Sequence, residues 1–272
     1  MQRSLRPGDQ SGIWRKSRAH HAIGFKRRLI RCSALSFIGD GGSGIGFRSF
    51  RAHGVEHPRH PTIRKMIDFY FDVSSPWTYL AFRNIQPMAL ELNANISWRP
   101  VLVGGIFNTV NQRMYASRED SNSPRNRYIL KDLQDCARQT GLNIVFPPRV
   151  FPVNSVKAMR GCIWLAQNDA LKHHLLAFIE ANFAAYFTRQ EDISQDDVLA
   201  NICRNLGIDA DAFAAGITQP DVKQTLKANT DEAIARGAFG VPTLFVGDDM
   251  YFGNDRLDLV RLAVITAKVA SA

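Results

Sequence analysis

Residues Ser75-Pro76-Trp77-Thr78 stand where a predicted strand meets a predicted helix, a position that can hold an anion. Residues 66–73 alternate apolar and polar side chains with a period near two, as a strand does. Ser75 is a suitable N-cap and Pro76 a suitable first helical residue. A hydroxyl there faces unpaired backbone N–H groups and the positive end of the helix dipole. The site could therefore stabilise the thiolate of another molecule, but Ser and Thr cannot form a disulfide of their own.

Two other roles for Ser75 remain open on the sequence alone. As a plain helix cap it would do no chemistry. As a protease-like nucleophile it would need an adjacent base. After residue 65 the histidines are His173 and His174, in a predicted helix far along the chain from Ser75. The nucleophile is thus the poorer account, and the anion site competes with the plain cap.

The composition is that of a globular protein whose positive charge is unevenly distributed. The chain has 272 residues, of which 45% are hydrophobic and 22% charged, and a formal net charge of +9. Residues 1–65 contain 14 of the 34 basic residues and only three of the 25 acidic ones, so the remainder is nearly neutral. No basic face with interleaved aromatic residues follows Met66, which argues against a nucleic-acid partner. No apolar run approaches the roughly 20 residues of a membrane span.

The basic segment 1–65 has three interpretations. Its Arg and Ser content and its few acids are typical of a transit peptide, which would make the protein mitochondrial. It could be a disordered basic extension. It could also be translated upstream sequence with Met66 as the natural start, because Met66 stands directly at the first predicted strand. We favour the last interpretation and expect a disordered extension and a cytoplasmic protein.

The cysteines give no sign of a metal site or of a redox motif. Cys32, Cys136, Cys162 and Cys203 are widely spaced, with no C-x-x-C and no His/Cys cluster. Free thiols of this kind fit a reducing compartment. We therefore expect no bound metal.

The order of predicted elements indicates one discontinuous sheet domain with a helical insertion. Residues 66–105 predict a strand–helix–strand unit with parallel strands, the second at 95–103 and ended by Gly104-Gly105. Residues 240–272 predict a strand, a tight hairpin and a helix. The hairpin strands are short, so they need the first unit beside them. Between the two units, helices are predicted at 127–140, 155–167, 170–187, 194–206, 210–216 and 221–236.

Several short motifs resemble, in order and composition, the 2-hydroxychromene-2-carboxylate isomerases, which belong with the kappa-class glutathione transferases. They are DFYFDVSSPWTYLA at 68–81, FP at 146–147, FGVPT at 239–243 and FGNDRL at 252–257. The resemblance runs from Met66 to the C-terminus. It implies an α/β fold with a thioredoxin-like domain at 66–105 and 240–272, interrupted by a helical domain at 106–239. It also implies a homodimer that uses glutathione.

The resemblance implies a glutathione site around Ser75, which would be the active-site serine. The backbone of Val241 would pair with the cysteinyl part of glutathione across the Pro242 loop, which is similar to the cis-proline loop of the thioredoxin fold. Asn254 and Asp255 would hold the γ-glutamyl end.

Two further contacts have alternatives. Asn111 resembles the asparagine of the family that contacts glutathione, with Asn108 as the alternative. Arg125, or else Arg127, stands near the position where the family often has a lysine.

The implied substrate is a small aromatic carboxylate, which needs a cation and an apolar wall. Arg99 and Arg125 could supply the charge. Trp77 could form the wall, although it could equally pack in the core. Asn154 could face the pocket or cap a loop.

The leading hypothesis is a glutathione-dependent isomerase of the 2-hydroxychromene-2-carboxylate type, in aromatic-compound breakdown. By resemblance, the glutathione sulfur adds transiently to the substrate and leaves again without net consumption. One alternative is a kappa-like transferase that conjugates electrophiles. Another is a non-enzymatic thioredoxin-like binding module. A disulfide oxidoreductase is disfavoured because Ser75 and Thr78 supply no sulfur.

Overall fold

The structure, a computed structural model, describes residues 66–112 and 123–269. The predictions made for segment 1–65, including Cys32, lie outside these residues. Among the described residues, no helix combines the length and the apolar character that a membrane span requires.

A four-stranded mixed sheet lies at the centre of the described residues, in the order β2-β1-β3-β4. Strand β1 (Met66–Phe71) pairs in parallel with β2 (Asn95–Pro100), as predicted for a strand–helix–strand unit. On its other side β1 pairs with β3 (Thr243–Val246) in antiparallel fashion. Strand β3 continues through the hairpin into β4 (Asp249–Phe252). The short hairpin is therefore held against β1, as expected.

Helices fill the chain between and after the strands. Their bounds are α1 Pro76–Glu91, α2 Val103–Val110, α3 Pro124–Thr140, α4 Val156–Gln167, α5 Leu175–Phe183, α6 Asp196–Asn205, α7 Ala210–Gly216, α8 Pro220–Ala235 and α9 Leu257–Val269. This order confirms helices inserted between two sheet-forming segments. Helix α3 ends at Gly141, whose φ of 70° is a left-handed conformation that glycine adopts at little cost.

Two element predictions were wrong. The second strand was expected to continue through Val103, but it ends at Pro100, and Gly104 and Gly105 lie inside α2. Residues 170–187 were expected to form one helix. They form a 3-10 turn at Lys172–His174, helix α5 and a π-helical turn at Ala184–Thr188.

The core has two parts, one on each face of the sheet. The larger part joins alternate residues of β1, such as Phe69 and Phe71, to α1 and to the inserted helices. Tyr79 of α1 stacks on Phe183 of α5, with ring centroids 4.7 Å apart. On the opposite face Tyr70 joins the smaller part, which includes residues of α2 and α8. Sheet and inserted helices thus share buried residues, and the domain boundaries at 105 and 239 stay predictions.

Candidate active site

Ser75 caps the helix that follows the central strand. Its Oγ accepts a hydrogen bond from the backbone N–H of Thr78 at 3.2 Å, and Pro76 opens helix α1. Ser75 is half-buried. The cap predicted from the sequence is therefore formed. Because the cap engages the hydroxyl oxygen as an acceptor, the hydroxyl proton can be directed elsewhere.

That proton points to the loop before β3. Ser75 Oγ donates to the carbonyl oxygen of Val241 at 3.4 Å. The bond between Val241 and Pro242 is cis, as the sequence predicted. The fold therefore brings the helix start and the Pro242 loop together, although they lie at opposite ends of the folded segment.

A second turn joins this pair from β4. The N–H of Gly253 donates to the carbonyl oxygen of Pro242 at 3.0 Å, and Gly253 has a φ of 102°, which favours glycine. The neighbouring Asn254 accepts at its Oδ1 a hydrogen bond from Asn84 of α1 at 2.9 Å. A chain of contacts thus runs from the Pro242 loop to the Asn254 turn and on to α1. Asp255 follows this turn and is exposed.

Comparison with known proteins identifies this architecture. A family model described as DSBA-like thioredoxin domain matches residues 66–264, which is most of the chain. The chain belongs to this family. The match covers both sheet-forming segments and the helices between them, and it confirms the predicted thioredoxin-like α/β fold with a helical insertion.

The known proteins that are similar to this DSBA-like chain include enzymes of two kinds. A 2-hydroxychromene-2-carboxylate isomerase of Pseudomonas putida is 27% identical over 199 residues, covering 73% of this chain and 94% of that protein. The human glutathione S-transferase kappa 1 is 26% identical over 213 residues, covering 72% and 89%. A solved 2-hydroxychromene-2-carboxylate isomerase structure aligns with a TM-score of 0.60 and 27% identity, covering 74% and 95%. The resemblance inferred from the motifs is confirmed.

Asn111 lies at the same loop as Val241. It ends helix α2, and its Nδ2 donates to the carbonyl oxygen of Phe239 at 3.0 Å. Asn108 is exposed one turn earlier, and its backbone carbonyl accepts from Gln112 at 3.0 Å. A side-chain hydrogen bond therefore joins Asn111 to the Pro242 loop, and which of the two asparagines contacts glutathione stays a prediction.

The candidate cations of α3 lie on its first turn. Ser123 caps this helix by accepting from the N–H of Asn126 at 3.2 Å. Arg125 and Arg127 follow directly, and both are exposed. The pKa of Cys136, further along α3, is raised above its ordinary value. Burial is the main cause of the raised pKa.

Two of the predicted substrate residues make structural contacts of their own. Trp77 follows Pro76 in α1; it is half-buried and packs against the larger core. Asn154 is exposed, and its Oδ1 accepts from the N–H of Val156 at 3.1 Å at the start of α4. The loop-capping alternative therefore has a contact in its favour, and a pocket role for either residue stays a prediction.

The structure does not bring Arg99 to the Ser75 turn. Its guanidinium forms an ion pair with Glu232 of α8 and lies over the ring of Tyr70, 5.7 Å from the ring centroid. Tyr70 itself donates to Glu232 at 2.8 Å. These partners belong to the α8 side of the sheet, opposite α1. The contacts assign Arg99 to a structural ion pair rather than to the predicted substrate site.

Sequence reasoning missed Asp72, which is buried beside the Ser75 turn. It is only 1% exposed. Its Oδ1 accepts from the N–H of Ser74 and its Oδ2 from the N–H of Val103, both at 2.9 Å. Asp72 thus ties the Ser75 turn to the start of α2. Burial raises the pKa of this carboxyl group above its ordinary value, against these hydrogen bonds.

The thiols of the described residues are poorly suited to redox chemistry. Cys162 and Cys203 are buried and Cys136 is half-buried. Burial raises the pKa of Cys203 to about 12 and also raises that of Cys162. Among the described residues, no cluster of His, Cys, Asp or Glu is arranged to hold a metal.

Proposed function

We propose that this protein is a glutathione-dependent isomerase of the 2-hydroxychromene-2-carboxylate type. The observation on which the proposal rests is the contact of Ser75 Oγ with the carbonyl oxygen of Val241, beside the Asn254 turn. It supplies one hydroxyl donor at a helix start, next to a loop with backbone groups for a peptide ligand. The isomerases among the similar proteins support the same reaction.

The residues present fit a glutathione thiol. The 3.4 Å bond from Ser75 to Val241 is long for O–H···O, so the hydroxyl proton can turn to a bound sulfur without loss of the Thr78 cap. A hydrogen bond to a charged group contributes roughly 1.5–3 kcal/mol, and one pKa unit corresponds to about 1.36 kcal/mol. Ser75 would therefore lower the pKa of the thiol by about one to two, from an ordinary value near 8.5.

Helix α1 would assist Ser75. The helix dipole at a first turn contributes about 0.3–1 kcal/mol to an anion. Together the two effects hold the thiol as a thiolate near pH 7 without a basic side chain. His173 and His174 lie in the 3-10 turn at Lys172–His174, far along the chain from Ser75.

Other residues would hold the remainder of the cofactor. Val241 would pair through its backbone with the cysteinyl part, and Asn254 and Asp255 would bind the γ-glutamyl end. Asn111 would contact the cofactor from α2, and Arg125 would meet a carboxylate from α3. When bound, glutathione supplies a nucleophilic sulfur that adds reversibly to an unsaturated substrate.

The substrate side of the proposal is a small aromatic carboxylate. The partly exposed ring of Trp77, next to Ser75, would form an apolar wall for it. Asn154 could contribute a polar contact from the start of α4. Arg99 forms an ion pair with Glu232 instead.

A kappa-like glutathione transferase is the second candidate, because human glutathione S-transferase kappa 1 is also similar to this chain. The two activities differ in what happens to glutathione. Incubation with 2-hydroxychromene-2-carboxylate and glutathione should give isomer at many turnovers with the thiol concentration unchanged. Stoichiometric thiol loss with an electrophile, and no isomerisation, would overturn the isomerase in favour of the transferase. If the protein showed neither a glutathione-dependent rate nor glutathione binding, the remaining hypothesis would be a non-enzymatic binding module.

A homodimer and a cytoplasmic location complete the proposal. Helix α9 exposes Leu259, Leu262 and Ile265, which are spaced to lie along one side of the helix and could pack against a second copy. Light scattering of the purified protein at micromolar concentration would decide between monomer and dimer.

A further inference from the structure

A positively charged cleft lies between helices α2, α4 and α8. Its volume is about 300 Å³, near the lower end for ligand pockets. Its cations are Arg160, Lys223 and Lys227, and its apolar walls include Leu102, Leu226 and Ile234. None of these residues belongs to the glutathione site proposed above. The cleft therefore needs an explanation of its own.

The charges of the cleft are incompletely paired. Lys227 forms an ion pair with Asp231, the acidic residue among those that line the cleft; the two charged groups are 2.5 Å apart. Within the described part of the chain, the buried Nε of Arg160 has no hydrogen-bond partner, and Lys223 has no acidic partner. Arg160 is half-buried. A buried donor of a charged group without a partner is costly. That buried atom is out of reach of the cleft, so an anion bound there would instead pair with the exposed Lys223.

The shape and chemistry of the cleft favour an organic anion. A guanidinium group matches the two oxygens of a carboxylate. Leu102, Leu226 and Ile234 give an apolar body a surface to cover, which inorganic phosphate would not use. We propose that this cleft binds a small amphiphilic carboxylate, independently of glutathione.

The cleft is near the glutathione site but is not part of it. Helix α2 separates the two: Gly105 and Thr109 line the cleft, whereas Asn111 at the helix end reaches the carbonyl oxygen of Phe239. The carboxylate is therefore expected to bind with the same affinity in the presence and absence of glutathione.

The probe is 4-bromobenzoate, measured by equilibrium dialysis with and without saturating glutathione. Lys223→Gln removes an exposed cation of the cleft, and Lys172→Gln is the matched control, since Lys172 pairs with Asp169 outside the cleft. We expect Lys223→Gln and Arg160→Gln each to weaken binding about tenfold or more, and Lys172→Gln to leave it unchanged. Inorganic phosphate should bind more weakly than the probe.

Crystals soaked in the probe locate it independently, through the anomalous scattering of bromine. A bromine peak in the cleft supports the proposal. A peak only elsewhere, or equal affinities of the wild type and Lys223→Gln, overturns it. If Arg160→Gln fails to fold, Lys223→Gln decides the matter, because its side chain is exposed. If the protein did not bind glutathione, the proposed isomerase activity would be wrong, but binding of the probe in the cleft would still stand.

Discussion

The hydroxyl oxygen of Ser75 lies 3.4 Å from the carbonyl oxygen of Val241, although 166 residues separate the two along the chain. The same oxygen accepts the N–H of Thr78. One atom therefore caps a helix and faces the loop on which a peptide ligand would lie. The cap fixes the oxygen, while the long bond to Val241 leaves the proton free to change partner.

Replacement of Ser75 by Ala should remove the donor to the thiolate. We expect the glutathione-dependent rate to fall about tenfold or more at pH 7, since a hydrogen bond to a charged group contributes roughly 1.5–3 kcal/mol. The loss should shrink above pH 8.5 or so, where the free thiol ionises unaided. The measurements are the pH–rate profile and the ultraviolet absorbance of the bound thiolate.

A variant that loses the N-cap of a different helix distinguishes the effect of Ser75 on the rate from its effect on stability. Asp209 caps α7 by accepting from the N–H groups of Asp211 and Ala212. Asp209→Ala should cost about 1 kcal/mol of unfolding free energy, as Ser75→Ala should, but leave the pH–rate profile unchanged. Equal rate losses in both variants would contradict a chemical role for Ser75.

Asp72→Asn should change how stability depends on pH. Because burial raises the pKa of Asp72, the folded state holds more protons than the unfolded state between the two pKa values. The unfolding free energy of the wild type should therefore fall as pH rises above about 4, until the raised pKa is passed. The variant should lack this part of the decline.

Urea denaturation across this pH range measures the difference. Asn at position 72 cannot accept at both of its side-chain atoms, so one of the N–H groups of Ser74 and Val103 loses its acceptor. We expect a cost of about 1–3 kcal/mol. The control is Asp248→Asn in the exposed hairpin turn, which should follow the wild-type curve. A variant curve parallel to that of the wild type would exclude the assigned role.

Asn111→Ala should raise the KM for glutathione about three- to tenfold with little change in kcat, because it removes the contact from α2 and loosens the link to Phe239. Asn108→Ala is the matched change three residues earlier and should stay within about twofold of the wild type. Steady-state kinetics in glutathione measures both. A larger rise in the KM for Asn108→Ala than for Asn111→Ala would assign the glutathione contact to Asn108.

Arg99→Gln tests whether this residue binds substrate. Its ion pair with Glu232 is partly exposed, so we expect a loss of about 1 kcal/mol or less in unfolding free energy. The KM for the carboxylate substrate should remain that of the wild type. A large rise in that KM alone, without a change in stability, would restore the substrate role.

Local sequence patterns determined the elements that depend on neighbours in the chain. The alternation in 66–73 predicted β1, Ser75 and Pro76 predicted the start of α1, and the short apolar runs predicted the hairpin strands. The order of the motifs also predicted the family and the Pro242 loop. Period and capping act within a few residues, so a sequence suffices to show them.

Only the tertiary structure decided the features that depend on distant partners. The start of α2 at Val103 is stabilised by the carboxylate of Asp72, 31 residues away. No local sequence pattern predicts this helix start. Arg99 was one of two candidate cations for the substrate, and only the fold placed Glu232 beside it, 133 positions later in the chain. A buried or paired charge is defined by what the fold brings against it, and for that reason the role of such residues is not encoded in their immediate sequence.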